Sequence, residues 1–291
     1  MINVGLLDFC LDDQTNSHQE QLQIAIYTAQ HAEEHGCCSI WYGEHHEGAF
    51  QVSPTLMASI VLSQTTTITA GTGGVLASYY SPLEMAYAAS LLDCAYPNRF
   101  ELGLARGNPS PEKKAMLLDS RPAASSGTDF FERVQSTRRL LHGADGVSVA
   151  PTGTRPKLWL LGMGSQSAIV AGKNGAAYCH AAFLKGSGSP EDAFREYTAN
   201  FVAQRPGEAP EYALALSVCS DQHDGVACYN RFEHNPSFTN NMMLPPAALA
   251  RELAQQVAHY GLSRLVLLQA EASYLHRLAT LEALMRELPT Q

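Results

Sequence analysis

At 291 residues and 31.5 kDa, with 45% apolar residues, the chain has ample material for a large buried core, which excludes disorder over most of its length. A formal charge of −9, from 19 Lys and Arg against 28 Asp and Glu, excludes a nucleic-acid binder that works by neutralising phosphates. No apolar run is long enough to span a bilayer and no basic leader precedes Ile2, so a cytoplasmic protein with no membrane partner is expected.

Short β-like runs alternate with helical stretches along the chain. A strand over 2–7 ends at Asp8, and a helix over 17–35 is stopped by Gly36 as a left-handed cap. A strand over 39–42 precedes a helix over 54–64 that opens on Ser53-Pro54, with proline at the first helical position. The pattern repeats with strands over 67–71, 100–104, 158–161, 177–183, 212–218 and 264–268. The matching helices are predicted over 83–94, 129–141, 165–174, 190–202, 247–260 and 274–288. Stretches 107–128 and 185–190, rich in Pro, Gly and Ser, read as long loops, and 219–241 is polar without clear periodicity. Eight alternations in 291 residues, with no linker and no G-x-G-x-x-G after the first strand, point to one (β/α)8 TIM barrel over 1–291 rather than a doubly wound sheet.

In such a barrel, side chains that follow the strands gather at one mouth. Trp41-Tyr42-Gly43-Glu44-His45-His46 places a carboxylate beside two imidazoles after the second strand, a combination suited to proton transfer or to a solvated loop. Gly71-Thr72-Gly73-Gly74-Val75 ends the third strand, where the glycines permit close approach of a flat ligand or simply a tight turn. Arg106 ends the fourth strand, placed to pair with a phosphate or carboxylate. Gly162-Met163-Gly164-Ser165-Gln166-Ser167 leads the fifth strand into a helix N-terminus, which is either an anion site or an ordinary serine cap. Arg106 and the 162–167 loop would be neighbours on adjacent strands, which favours a phosphate site.

Other chemistries find little support. The seven cysteines are scattered without a C-x-x-C pair and read as reduced, mostly buried residues, and no metal site is expected because no four ligands share finger-like spacing. No G-x-S-x-G elbow occurs. The histidines at 18, 31, 35, 142, 180, 223, 234, 259 and 276 read as mostly solvated.

Taken in order, these motifs resemble the bacterial luciferase-like, flavin-dependent monooxygenase superfamily, over residues 1–183 and again over 246–288. Ser81-Pro82 and the run Asn98-Arg99-Phe100-Glu101-Leu102-Gly103-Leu104-Ala105-Arg106-Gly107 belong to the same ordered set. The resemblance implies a barrel holding FMN at its mouth. His45, with Glu44 beside it, matches the catalytic position, and Gly73-Gly74 matches a non-prolyl cis peptide under the flavin ring. Arg106 and the backbone of Gly162, Gly164, Ser165 and Gln166 match the phosphate contacts. The implied chemistry joins reduced FMN, supplied by a separate flavin reductase, with dioxygen to form a C4a-(hydro)peroxyflavin that oxygenates a small organic or natural-product substrate. Alternatives of the same fold are a deazaflavin-dependent oxidoreductase and a non-catalytic flavin-binding partner subunit. Ala105 stands where luciferase carries a reactive cysteine, so aldehyde luminescence is not expected. Residues 184–245 look trimmed relative to larger members, which leaves 107–128 as a candidate lid. A homodimer is expected through the helices over 17–35, 54–64 and 83–94, with Leu56, Met57, Ile60, Met85, Ala88 and Ala89 at the interface.

Overall fold

The computed structural model describes residues 2–51, 53–118, 127–143, 149–153, 156–204, 206–223, 226–227, 231–232, 237–239 and 242–288. Alternating strands and helices run as β1 (Val4–Asp8), α1 (His18–Glu34), β2 (Ser39–Tyr42), α2 (Pro54–Gln64), β3 (Thr69–Thr72), β4 (Val75–Leu76), α3 (Pro82–Ala95) and β5 (Phe100–Ala105). They continue as α4 (Pro111–Leu118), α5 (Gly127–His142), β6 (Lys157–Gly162), α6 (Ser165–Lys173), β7 (Ala177–Ala181), α7 (Pro190–Asn200) and β8 (Tyr212–Cys219). The last part holds β9 (Gln222–His223), β10 (Val226–Ala227), β11 (Met242–Met243), α8 (Pro246–Tyr260), β12 (Arg264–Gln269) and α9 (Tyr274–Glu287). Parallel pairing runs from β1 through β2, β3, β5, β6, β7 and β8 to β12, which returns to β1 and closes the barrel.

Local sequence explains most boundaries. Ser17 and Glu20 form a reciprocal capping box at the start of α1, and Ser81 and Glu84 do the same at α3, each satisfying backbone N–H groups the first turn leaves open. Gly36 (φ 80°) and Gly261 (φ 64°) stop the chain behind α1 and α8 in the left-handed conformation that a side chain disfavours. One expected loop differs: Ser110-Pro111 opens the short helix α4 within 107–128, its Ser110 Oγ accepting from the Lys113 N–H, although α4 has no buried residue. Residues 119–126 of that candidate lid lie outside the described residues.

Strand pleating sorts the core into two shells. Leu6, Ile40, Tyr42, Leu158, Leu160, Leu265 and Leu267 point outward under the helices. Their neighbours Leu7, Trp41, Trp159, Leu161, Val266 and Leu268 point into the barrel. Small residues (Cys179, Ala213, Ala215) share this interior cluster with the two tryptophans. The floor, at the N-terminal ends of the strands, is locked by charge. Arg264 at the start of β12 makes a bidentate pair with Glu101 on β5 at 2.6 and 3.0 Å, and Trp41 Nε1 donates to the same carboxylate at 2.7 Å.

The helical layer corrects part of the expected interface. Met57, Met85 and Ala89 are buried because they face the barrel. Leu56 (66% exposed), Ile60 (39%), Tyr87 (46%) and Leu91 (60%) instead form an outward apolar face on α2 and α3. No helix among the described residues is long and apolar enough to cross a membrane.

Candidate active site

The loop that leaves β2 turns the two adjacent histidines to different partners. Glu44 is buried, with its carboxylate held on both oxygens: Oε1 accepts from Tyr80 Oη at 2.9 Å and His46 Nε2 at 2.7 Å, and Oε2 accepts from the Leu76 N–H at 2.9 Å. Glu44 therefore orients His46 and fastens the loop after β2 to β4. His45 turns the other way, its ring edge-on to Phe9 at 5.7 Å and stacked on Phe238 at 5.9 Å. Burial lowers its pKa below the ordinary imidazole value, outweighing the opposing pull of Glu47. Its Nδ1 accepts from the Glu47 N–H at 3.3 Å, which leaves the proton of the neutral ring on Nε2. Phe9, Phe183, Phe232 and Phe238 make one aromatic cluster beside it, a buried apolar wall.

The third strand is interrupted between β3 and β4 by a cis Gly73–Gly74 peptide. Both segments pair with β5 (Gly71↔Glu101, Val75↔Leu104), and Thr72 Oγ1 bridges the break, donating to Gly103 O at 2.7 Å and accepting from Gly103 N–H at 2.9 Å. A side chain at Gly74 would strike the Gly103 carbonyl at 2.8 Å, so close strand approach requires glycine there.

Arg106 leaves the end of β5 into solvent. Among the described residues no hydrogen bond or ion pair engages its guanidinium; only its carbonyl is held, accepting from Ser78 Oγ at 3.1 Å. On the adjacent strand β6, Gly162 leads to the N-terminus of α6. The cap there is Gly164 rather than a serine, and no side chain caps the helix. Ser165 and Gln166 begin the helix, while Ser167 Oγ turns back to donate to Gly164 O at 2.9 Å. The first backbone N–H groups and the positive end of the helix dipole are left for an external acceptor.

Behind this loop stands a buried pair, Tyr178 and His180, of which the histidine was expected to be solvated. His180 on β7 is fully buried, and burial pushes its pKa down to about 4, so it is neutral. Its Nδ1 accepts from Tyr178 Oη at 3.1 Å, and its Nε2 meets Ser187 Oγ at 2.9 Å and Gly188 O at 3.2 Å. Gly188 N–H donates in turn to Met163 O at 2.8 Å, so the pair braces the turn ahead of α6. The legible signal was position: His180 lies within a predicted strand whose other residues are apolar.

A family model described as luciferase-like monooxygenase matches residues 4–268. The chain belongs to the luciferase-like monooxygenase family. A relative, the uncharacterized protein YceB of Bacillus subtilis (strain 168), is 34% identical over 237 residues, 78% of this chain and 71% of its own. The oxygenase component of a flavin-dependent trigonelline monooxygenase of Acinetobacter baylyi is 29% identical over 136 residues, 45% of this chain and 38% of its own. Among solved structures, apo-MsnO8 superposes with a TM-score of 0.87 at 24% identity, covering 100% of both chains. Two further structures share the fold across 98% or more of each chain. The FMN complex of the oxygenating constituent of 3,6-diketocamphane monooxygenase from Pseudomonas putida reaches a TM-score of 0.73 at 14% identity. An F420-dependent secondary alcohol dehydrogenase reaches 0.70 at 18%. These structural likenesses show a common barrel.

Proposed function

We propose that this luciferase-like monooxygenase is the oxygenase component of a two-component system, using FMN that a separate flavin reductase supplies in reduced form to oxygenate a small apolar organic substrate. The observation that carries the reading is a cationic cradle: Arg106, unpaired among the described residues, follows the strand next to the one that leads to the α6 N-terminus, which no side chain caps. A free guanidinium and several open N–H groups fit a phosphate monoester, which FMN carries and riboflavin lacks. In this reading Arg106, Gly164, Ser165 and Gln166 hold the phosphate, the Gly73–Gly74 segment supports the flat ring, and the phenylalanine wall keeps water away. Bound FMN supplies the redox chemistry with dioxygen. His45 contributes a neutral Nε2–H donor facing the apolar mouth, able to donate a hydrogen bond or give up a proton at the reacting atoms. Glu44 acts by fixing the loop that presents His45.

The test compares two variants in a coupled assay with a flavin reductase. His45→Ala is expected to lose roughly 10²–10⁴-fold in product formation, with FMN affinity within a few-fold and more hydrogen peroxide released. His46→Gln, which keeps a donor for Glu44, should retain most activity. Full product formation by His45→Ala would remove His45 from the chemistry.

A second reading, an oxidoreductase using a deazaflavin coenzyme, is favoured by the dehydrogenase of the same fold; absorbance titrations with FMN and with that coenzyme separate the two. The chain is further proposed to act as a homodimer through the outward face of α2 and α3. Leu56→Glu combined with Leu91→Glu should convert the dimer to a monomer in analytical ultracentrifugation, and a wild-type monomer at micromolar concentration would overturn this.

A further inference from the structure

We propose that His31, His35 and Glu282 form a binding site for one divalent transition-metal ion of the zinc or nickel class, linking the first helix of the barrel to the last. The site lies in the outer helical layer, independent of the mouth and of the function proposed there. His31 and His35 are four residues apart at the end of α1, which brings both imidazoles to one face; their ring centroids are 4.1 Å apart. α9 packs against that face and contributes Glu282. One nitrogen of each ring and a carboxylate oxygen all lie within 4.8 Å of one another.

The hydrogen bonds around these rings favour a cation. His35 Nδ1 donates to the His31 carbonyl at 2.8 Å, which leaves a lone pair on Nε2. That lone pair faces Glu282 Oε1 at 3.9 Å, too far for a hydrogen bond between them. Two acceptors at this separation suit an ion about 2.0–2.2 Å from each. The backbone bond on the far nitrogen is the outer contact that fixes a ligating imidazole. The His31 ring is tethered to α9 as well, its Nε2 meeting Leu278 O at 3.2 Å. Glu282 also pairs with the exposed Arg286, one turn along α9, and a bound dication would displace that guanidinium. Two imidazoles and one carboxylate select zinc, nickel or copper over calcium and magnesium, and three protein ligands leave a position for water. The two histidines and Glu282 are about 250 residues apart in sequence, which hides the site from any reading of local spacing.

The test uses the full chain, stripped with a chelator, with Cys94→Ser introduced so that the exposed thiol does not contribute. Equilibrium dialysis against zinc chloride, and separately nickel chloride, should show one ion per chain. His35→Gln and Glu282→Gln, each verified as folded by circular dichroism, should each weaken binding ~10-fold or more. Zinc should raise the melting temperature of the parent in a concentration-dependent way and leave the His35→Gln/Glu282→Gln double variant unmoved. Magnesium should do neither. Equal uptake by parent and double variant, or no uptake by the parent, would overturn the proposal.

Discussion

The floor and the mouth of this barrel treat their arginines in opposite ways. At the floor, burial alone would raise the Glu101 carboxyl, but the Arg264 guanidinium overrides it and holds the group ionised. Arg264 also lies over the rings of Trp41 and Trp159, 5.2 and 5.0 Å from their centroids. At the mouth, the exposed Arg106 has no anionic partner and the α6 N-terminus no side-chain cap among the described residues, although the buried Glu44 carboxylate is held on both oxygens. The Arg264–Glu101 pair that holds the floor together is matched within the chain, whereas the groups proposed to hold a phosphate have no such match among the described residues.

The sharpest way to break this contrast is to remove one side of the floor pair. Glu101→Ala should cost about 3–5 kcal/mol in denaturant unfolding, because it leaves a buried guanidinium uncompensated. A Glu101→Leu/Arg264→Met double variant should recover much of that loss, and equal costs for single and double variants would show that the pair's charge balance is not what stabilises the floor.

The brace behind the mouth should appear as pH dependence. The folded His180 value of about 4 lies below the ordinary value of about 6.5, so the unfolded chain binds the extra proton. Its contribution is complete above about pH 6.5 and is lost as pH falls towards about 4, amounting to about 3 kcal/mol. Unfolding free energies measured between those limits should fall less steeply for His180→Asn than for the parent.

The smallest structural effect belongs to the mouth itself. Arg106→Ala should leave stability within about 0.5 kcal/mol, since the side chain is exposed. The same change should weaken FMN binding by about 1.5–3 kcal/mol while leaving riboflavin binding unaltered. Equal affinity of the parent for FMN and riboflavin would remove the phosphate argument.

Much of the frame was legible because its signals are local. Short apolar runs and serine or glycine punctuation placed the eight barrel strands and their helices within a few residues. The helix α4 escaped because Pro, Ser and Gly dominate its surroundings and no apolar stripe marks it. The order of the motifs also located the mouth, since a strand followed by a helix fixes which end carries the loops.

What the sequence by itself determined was therefore the alternation, the caps and the identity of the residues that reach the mouth. Tertiary structure decided what each of those residues touches. Adjacent His45 and His46 look equivalent in the chain, but the loop after β2 sends one to the phenylalanines and the other to Glu44. Met57 and Leu56 are adjacent on α2, and only packing decides that one covers the barrel and the other faces out. Glu101 finds Arg264 across 163 positions, a pairing fixed by ring closure. Periodicity and capping are properties of a few consecutive residues, whereas charge compensation and burial depend on which distant strands the closed barrel brings together.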